Sequence, residues 1–264
     1  MNKFQKKIWN FYETHRRSDL PWRKKITPYR IWVSEIMLQQ TQVDRVIPFF
    51  NNWMKKFPTL QKLASAPQSE VLSAWKGLGY NSRALRMHKA AQLGSLPKSY
   101  DELLRLPGIG PYTAAAICTF AYHQSLVMIE TNIRRVFIDS FFKSQENIHD
   151  RDILKLIEKN LYKENPREWY WALMDYGAYL GKTIANPNKK SRHYTVQKKF
   201  KGSDRELRGA ILGILLEVKK ITFEKLFEQL KKLSTDKERI EGIIGQLEKE
   251  GFLEVKKNIV CLKK

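Results

Sequence analysis

The sequence predicts an all-α body followed by a small module of three helices and a β-hairpin, and three observations carry that reading. Through residues 1–180, apolar residues recur at helical spacing, and no series of alternating segments marks a sheet. From Ile184 to Ser203 the texture changes to IANPNKKSRHYTVQKKFKGS, a basic, turn-rich stretch with the character of a linker or crossing loop. Beyond it, three amphipathic stretches precede one short alternating segment.

Taken in order, Ile31, Ile36 and Leu38 and then Val43, Val46 and Ile47 mark early helices separated by polar residues. Ser69, followed by Glu70 and the apolar face of Val71, Leu72 and Trp75, reads as a helix start; Ser99 before Asp101, Glu102 and Leu103 reads as another. In the C-terminal module the helices are carried by Leu207, Ile211, Ile214 and Leu215, by Phe223, Leu226, Phe227 and Leu230, and by Ile240, Ile243, Ile244 and Leu247. Gly251 stops the third, and FLEVKKNIVCL alternates like a two-stranded ribbon turning at Lys257 and Asn258. Three helices and a hairpin in about sixty residues describe a winged-helix-like domain.

The chain has 264 residues, enough to bury a core in one large domain or in a main domain with an appendage. Its 48 Lys and Arg against 27 Asp and Glu leave a formal charge of +21, which favours a polyanionic partner, nucleic acid, over a neutral small substrate. Two cysteines, Cys118 and Cys261, are too few for a disulfide framework or a four-thiolate metal site. No signal-like or membrane-length apolar run is present, so a soluble, cytoplasmic protein is expected, nucleoid-associated in a prokaryote.

Two stretches point to chemistry. LPGIGPYTAAAI, Leu106 to Ile117, sets glycines in a tight turn ahead of a helix start, where backbone N–H groups and the helix dipole can hold a DNA phosphate. An ordinary helix-helix turn is the alternative. Glu35 lies between Trp32-Val33 and Ile36-Met37, an apolar frame that raises a carboxyl pKa and suits proton donation. A surface glutamate on an amphipathic helix is the competing reading.

Together LPWR, PYRIWVSEIMLQQTQV, GLGY, RMHKAA, LPGIG and LMDYGA resemble the helix-hairpin-helix DNA glycosylase superfamily, and within it the MutY-type adenine DNA glycosylases, over roughly Leu20 to Ala178. The resemblance implies a glycosylase core over residues 1–200, with a helical barrel about 21–134 and a second lobe from the N-terminus plus about 135–200, ahead of the winged-helix-like domain at 204–264. It implies monofunctional excision of adenine mispaired with 8-oxoguanine or guanine, with base flipping. Excision of thymine or uracil opposite guanine, or of another lesion, is the alternative, and non-catalytic lesion binding a further one.

Carried over by position, Glu35 resembles the acid that protonates adenine N7, and Glu130 the carboxylate that stabilises the oxocarbenium ion. The family's aspartate is here Glu130, in Glu130-Thr131-Asn132; because glutamate is a poor N-cap, Thr131 is expected to take over capping. Asn132 is expected within reach of the catalytic carboxylate or the sugar. Tyr112 occupies the place of the Schiff-base lysine of bifunctional relatives, and a tyrosine forms no imine. The resemblance also puts Leu38, Gln40 and Tyr80 at the DNA, the last two as wedges beside the opposite base. Gly108 and Gly110 belong to the phosphate-binding hairpin. Trp22 and Arg23 line the adenine pocket, and Asp175 either reaches the flipped base or pairs with an arginine.

Most relatives carry four cysteines for a [4Fe-4S] cluster; the corresponding residues are Gly181, Asn188, Ser191 and Gln197, so no cofactor and no metal are expected. Packing through His193, Tyr194 and Phe200 is expected to hold the loop instead. In place of a Nudix-like domain stands the winged-helix-like one, whose third helix balances Lys237, Arg239 and Lys249 with Glu238, Glu241, Glu248 and Glu250. Structural support or a protein contact stands level with DNA binding as the role of this domain, and Lys256 and Lys257 on the wing are the better phosphate contacts. The expected partner is double-stranded DNA with a mismatch or lesion, bound by a monomer, with no membrane involved.

Overall fold

A computed structural model describes residues 1–197 and 199–263; linker residue 198 and terminal residue 264 lie outside the described residues. In chain order the α-helices are α1 (Lys3–His15), α2 (Pro21–Lys24), α3 (Pro28–Leu38), α4 (Val43–Lys56), α5 (Leu60–Ala64), α6 (Gln68–Trp75), α7 (Ser82–Gln92), α8 (Tyr100–Leu104), α9 (Pro111–Tyr122), α10 (Thr131–Phe141), α11 (Asp150–Asn160) and α12 (Pro166–Thr183). A 3-10 turn at Pro187–Lys190 follows, then α13 (Asp204–Val218), β1 (Lys220–Thr222), α14 (Phe223–Leu230), α15 (Lys237–Lys249), β2 (Leu253–Lys256) and β3 (Ile259–Leu262). The all-α body and small terminal sheet agree with the sequence reading.

The chain forms two compact units, neither continuous in sequence. Unit 1 takes Met1–Ile36 and Leu96–Val196, and unit 2 takes Met37–Ser95 and Gln197–Lys264.

In unit 1, α10 packs on α12, and α12 also receives α1. The core there is aromatic: Phe4 meets Phe137 at 5.2 Å and Trp169 edge-on at 6.1 Å. Such rings bury large apolar areas, and tilted or edge-to-face pairing suits their quadrupoles. Helix α1 is fixed at its start by a capping box, with Asn2 and Gln5 each accepting the other's backbone N–H. The hairpin α8–α9 belongs to this unit; Gly108 has φ +80°, which a side chain rarely tolerates, and Gly110 is the N-cap of α9.

In unit 2, Trp53 of α4 and Trp75 of α6 cross edge to face at 5.5 Å in a core shared with Val46, Phe50 and Leu85. Helix α6 starts two residues earlier than its serine suggested. Pro67 is the N-cap, and Ser69 lies inside the helix, because Gln68 and Ser69 take up helical geometry directly after the proline. Ser99 does precede α8, without a side-chain capping bond.

The C-terminal segment of unit 2 has the three expected helices, buried on Leu207, Ile211, Leu226, Ile240 and Leu247. Its hairpin turns at Lys257 and Asn258, with φ +46° and +68°, the left-handed pair that matches the twist of a tight hairpin. The ribbon gains a strand: β1 joins β3, giving an antiparallel sheet in the order β1-β3-β2. Three residues, Lys220–Thr222, are too short for alternation to reveal a strand. Helix α13 packs on α6, and Gln68 donates from Nε2 to the Gly251 carbonyl at 2.9 Å.

Candidate active site

Glu35 lies in the middle of α3, where Ile31 to Met37 are all buried. Only 7% of it is exposed. Burial pushes its pKa up to about 7, the nearby Glu130 charge pushes the same way, and a hydrogen bond from Tyr112 and the charge of Arg23 oppose them. The Tyr112 hydroxyl donates to Glu35 Oε2 at 2.7 Å. Tyr112 sits in the first turn of α9, directly after the glycine hairpin, so the hairpin that presents backbone N–H groups also delivers this hydroxyl. Burial and the two glutamates hold its phenol well above the usual range, so it donates and does not ionise.

The second carboxylate opens α10. Glu130 is itself the N-cap: its Oε1 accepts from the backbone N–H groups of Asn132 and Ile133, both at 2.8 Å. The expectation that Thr131 takes over capping is therefore corrected. Glutamate's extra methylene is accommodated by an extended Glu130 backbone, φ −139° and ψ 180°, which lets the carboxylate fold back over the helix start. Burial raises the Glu130 pKa, while the two amides and the charges of Arg135 and Arg134 work against that rise.

Asn132 donates from Nδ2 to Glu130 Oε2 at 3.2 Å. Its Oδ1 in turn accepts from Arg135 at 2.8 Å, and the same guanidinium nitrogen reaches the Gly177 carbonyl at 2.6 Å. Gly177, in the LMDYGA segment of α12, allows this contact: a Cβ there would lie 2.3 Å from the Asn132 carbonyl oxygen. The glycine sets how closely α12 approaches the start of α10.

Asp175 is 4% exposed and both its oxygens are engaged. Arg17 donates from its backbone N–H at 3.0 Å and from Nε at 2.7 Å, and Arg23 forks across both oxygens at 2.7 and 2.9 Å. Arg23 also stacks over Trp171, 4.9 Å from the ring centroid. Asp175 thereby holds Arg23 rigid, with the buried Trp22 beside it on α2. Glu35, Tyr112, Glu130, Asn132, Arg23 and Asp175 all belong to unit 1, as do Gly108 and Gly110, which are exposed.

Leu38, Gln40 and Tyr80 belong to unit 2. Leu38 is half-buried at the end of α3. Gln40 and Tyr80 are exposed, and both are non-glycine residues in the left-handed region, at φ +56° and +49°. Such backbone persists only where surroundings enforce it. Arg83 does the enforcing: buried on α7, it donates to the carbonyls of Gln39 at 2.7 Å, Gly79 at 2.9 Å and Met37 at 3.3 Å, and stacks on Trp75 and Tyr80. Burial lowers its pKa to about 10. The sequence reading missed Arg83, since its partners are backbone carbonyls from two loops; the nearest signal was its place just after GLGY.

Around the positions where the resemblance expects cluster thiolates, the side chains do not fit a sulfur-ligated cluster. A Cβ on Gly181 would lie 2.6 Å from an Arg135 nitrogen. Asn188 is buried and donates to the Thr131 carbonyl at 3.0 Å, while Ser191 pairs as a parallel bridge with Ile148. Backbone bonds from Ile148 to the Lys190 carbonyl and from Arg192 to the Ile148 carbonyl complete that clasp. Packing through Tyr194 and Phe200 is corrected: both are exposed, and the Phe200 ring meets the Arg205 guanidinium, while His193 makes a ring contact with His149. Among the described residues, no group of three or more His, Cys, Asp or Glu is placed to hold a metal ion, and no helix is long and apolar enough to cross a membrane.

A desolvated acid lies beside a second carboxylate with a glycine hairpin leading into it, and residues 33–162 match the HhH-GPD superfamily of base excision DNA repair proteins. An adenine DNA glycosylase of Buchnera aphidicola subsp. Baizongia pistaciae is 38% identical over 67% of this chain and 52% of its own length. The chain thus spans about half the length of that relative. An adenine DNA glycosylase of Mycobacterium tuberculosis is 33% identical over 78% of this chain and 75% of its own length. A solved thermostable thymine-DNA glycosylase superposes with a TM-score of 0.62 at 27% identity, covering 71% of this chain and 90% of that one. The chain belongs to the HhH-GPD superfamily, among the MutY-type adenine DNA glycosylases.

Proposed function

We propose that this chain is a monofunctional DNA glycosylase that removes adenine mispaired with 8-oxoguanine or guanine. One observation carries the reading: Glu35, pushed to a pKa of about 7 in an apolar helix, is hydrogen-bonded by Tyr112 and feels the charge of Glu130. A general acid works best when its pKa lies near the working pH.

In the proposed reaction, protonated Glu35 gives its proton to N7 of the flipped adenine. The N-glycosidic bond breaks, its electron pair leaves with the base, and positive charge develops on the sugar. Glu130, ionised and oriented by Asn132 and the first amides of α10, stabilises that charge. Water then adds to C1′ and yields its proton to the Glu35 carboxylate, restoring the acid. Tyr112 has no amine to form an imine, which supports excision without strand cleavage. Gly108 and Gly110, Lys256 and Lys257 serve as backbone-phosphate contacts, and Gln40 and Tyr80 enter the duplex beside the opposite base. DNA is the partner, and the +21 charge supports it.

The test compares duplexes holding A opposite 8-oxoguanine, A:G, T:G, U:G and an abasic site, with and without alkali. Alkali-dependent breakage at adenine alone is the expected result. Breakage at T or U, in line with the thymine-specific structural relative, overturns the adenine reading. Tight binding with no breakage anywhere overturns catalysis.

A further inference from the structure

Gln40 and Tyr80 share their surface with the segment that leads into the C-terminal module. Gln197 donates from its amide to the Tyr80 hydroxyl and also reaches Gln40 Oε1 at 3.4 Å. Arg205, in the first turn of α13, donates to the same hydroxyl at 3.1 Å. Its guanidinium lies over two aromatic rings, Tyr80 at 5.6 Å and Phe200 at 6.0 Å. Those rings stay 37% and 58% exposed. All five residues belong to unit 2.

Two exposed aromatic faces, a guanidinium and two amides around strained backbone make a poor packing core but a fitting receptor for a nucleobase. Aromatic faces stack on any base. A guanidinium adds selection, because its paired N–H groups match two acceptors in a row, as unmodified guanine offers at O6 and N7, whereas 8-oxoguanine carries a donor at N7, adenine presents a donor beside its acceptor and cytosine a donor at N4. Hydrogen bonds made at an exposed surface exchange for ligand bonds at small net cost.

We propose that Arg205, with Gln197 and Phe200, completes the subsite for the base opposite the excised one and selects the O6/N7 edge of guanine there. The inference rests on the reading that Gln40 and Tyr80 enter the duplex. On it, the start of the C-terminal module supplies opposite-base specificity directly, through residues the motifs do not cover.

Single-turnover excision from duplexes with A opposite 8-oxoguanine, guanine or cytosine tests this in the full chain, for R205A, R205K, Q197A and Y80A. The preference for the guanine over the cytosine duplex should fall about tenfold in both R205A and R205K, since lysine keeps the charge but not the fork, and excision from the 8-oxoguanine duplex, whose N7 donates, should change less. A smaller fall is expected for Q197A. Equal loss on every duplex, restored by R205K, would mean a phosphate contact and overturn the proposal. Should Y80A lose the preference while the Arg205 and Gln197 variants keep it, the proposal alone fails. If Y80A keeps it, the duplex-entry reading beneath fails too.

Discussion

The carboxylates of unit 1 and Gln40 and Tyr80 of unit 2, proposed as the acid pair and the wedge, stand in opposite physical settings. Glu35 is withdrawn from water and every oxygen of Glu130 has a donor, so their environment is set before any substrate arrives. Gln40 and Tyr80 are left in water on strained backbone, held from behind by the buried Arg83. Proton transfer needs a fixed dielectric and fixed distances; entry into a base stack needs protruding groups on a stiff support. Polar burial thus appears in both regions, once at the reacting groups and once behind them.

The comparison breaks most sharply at the carboxylates. Glu130→Gln and Glu35→Gln should each lower single-turnover excision by about a thousandfold or more, while Glu130→Asp, which keeps the charge and a better cap, should hold activity within about tenfold of the parent. Glu35→Gln has a second, opposite consequence. Its folded pKa is raised from 4.5 to about 7, so the stability tied to the neutral carboxyl is complete below the lower value and is lost as pH rises through the upper one. At pH 8 the amide should therefore melt higher than the parent, by an amount on the order of 3 kcal/mol. An unchanged melting temperature at pH 8 would mean that Glu35 is not desolvated.

Next in size is Gly177→Ala, whose methyl would drive against the Asn132 backbone. Excision should fall by tenfold or more alongside a lowered melting temperature, whereas DNA affinity, read by fluorescence anisotropy, should hold. In unit 2, Arg83→Met leaves the carbonyls of Met37, Gln39, Gly79 and Tyr80 without a charged donor, so stability should drop by at least ~2 kcal/mol and DNA affinity with it. If affinity survives that change, the wedge does not depend on its support.

A subtler effect is expected from Tyr112→Phe. The hydroxyl favours ionised Glu35, so its loss should raise the Glu35 pKa further. The parent's rate should fall tenfold per pH unit above about 7, and the variant's fall should begin at higher pH. The smallest effect belongs to Lys76→Ala, which breaks an exposed pair with Glu217 and should leave the melting temperature unmoved.

What the sequence disclosed differs between the two regions in the same physical way. The burial of Glu35 was legible because its apolar frame lies along the chain, and the helices of the C-terminal module because their periodicity is local. Glu130 as its own helix cap was not, since capping preferences count against glutamate and only the extended backbone reveals the fit. Arg83 stayed hidden because its partners are carbonyls of two separate loops, and Arg205 because its partners come from distant stretches. Asp175 was left between two readings; its arginine contacts arise from α1 to α2, more than 150 positions away.

On the proposed roles, one carboxylate at the start of α10 answers for both catalysis and folding. A chain that keeps its hold on mispaired DNA but cannot excise the base would be worse than none, because it would shield the mispair from other repair. Glu130→Ala removes the reacting group and the helix cap together, and helix caps are worth about 1 kcal/mol, enough to change cellular abundance several-fold. Quality control in the cell would then remove the inert copies first, a bias visible as a lower steady-state level of that variant than of Glu130→Asp.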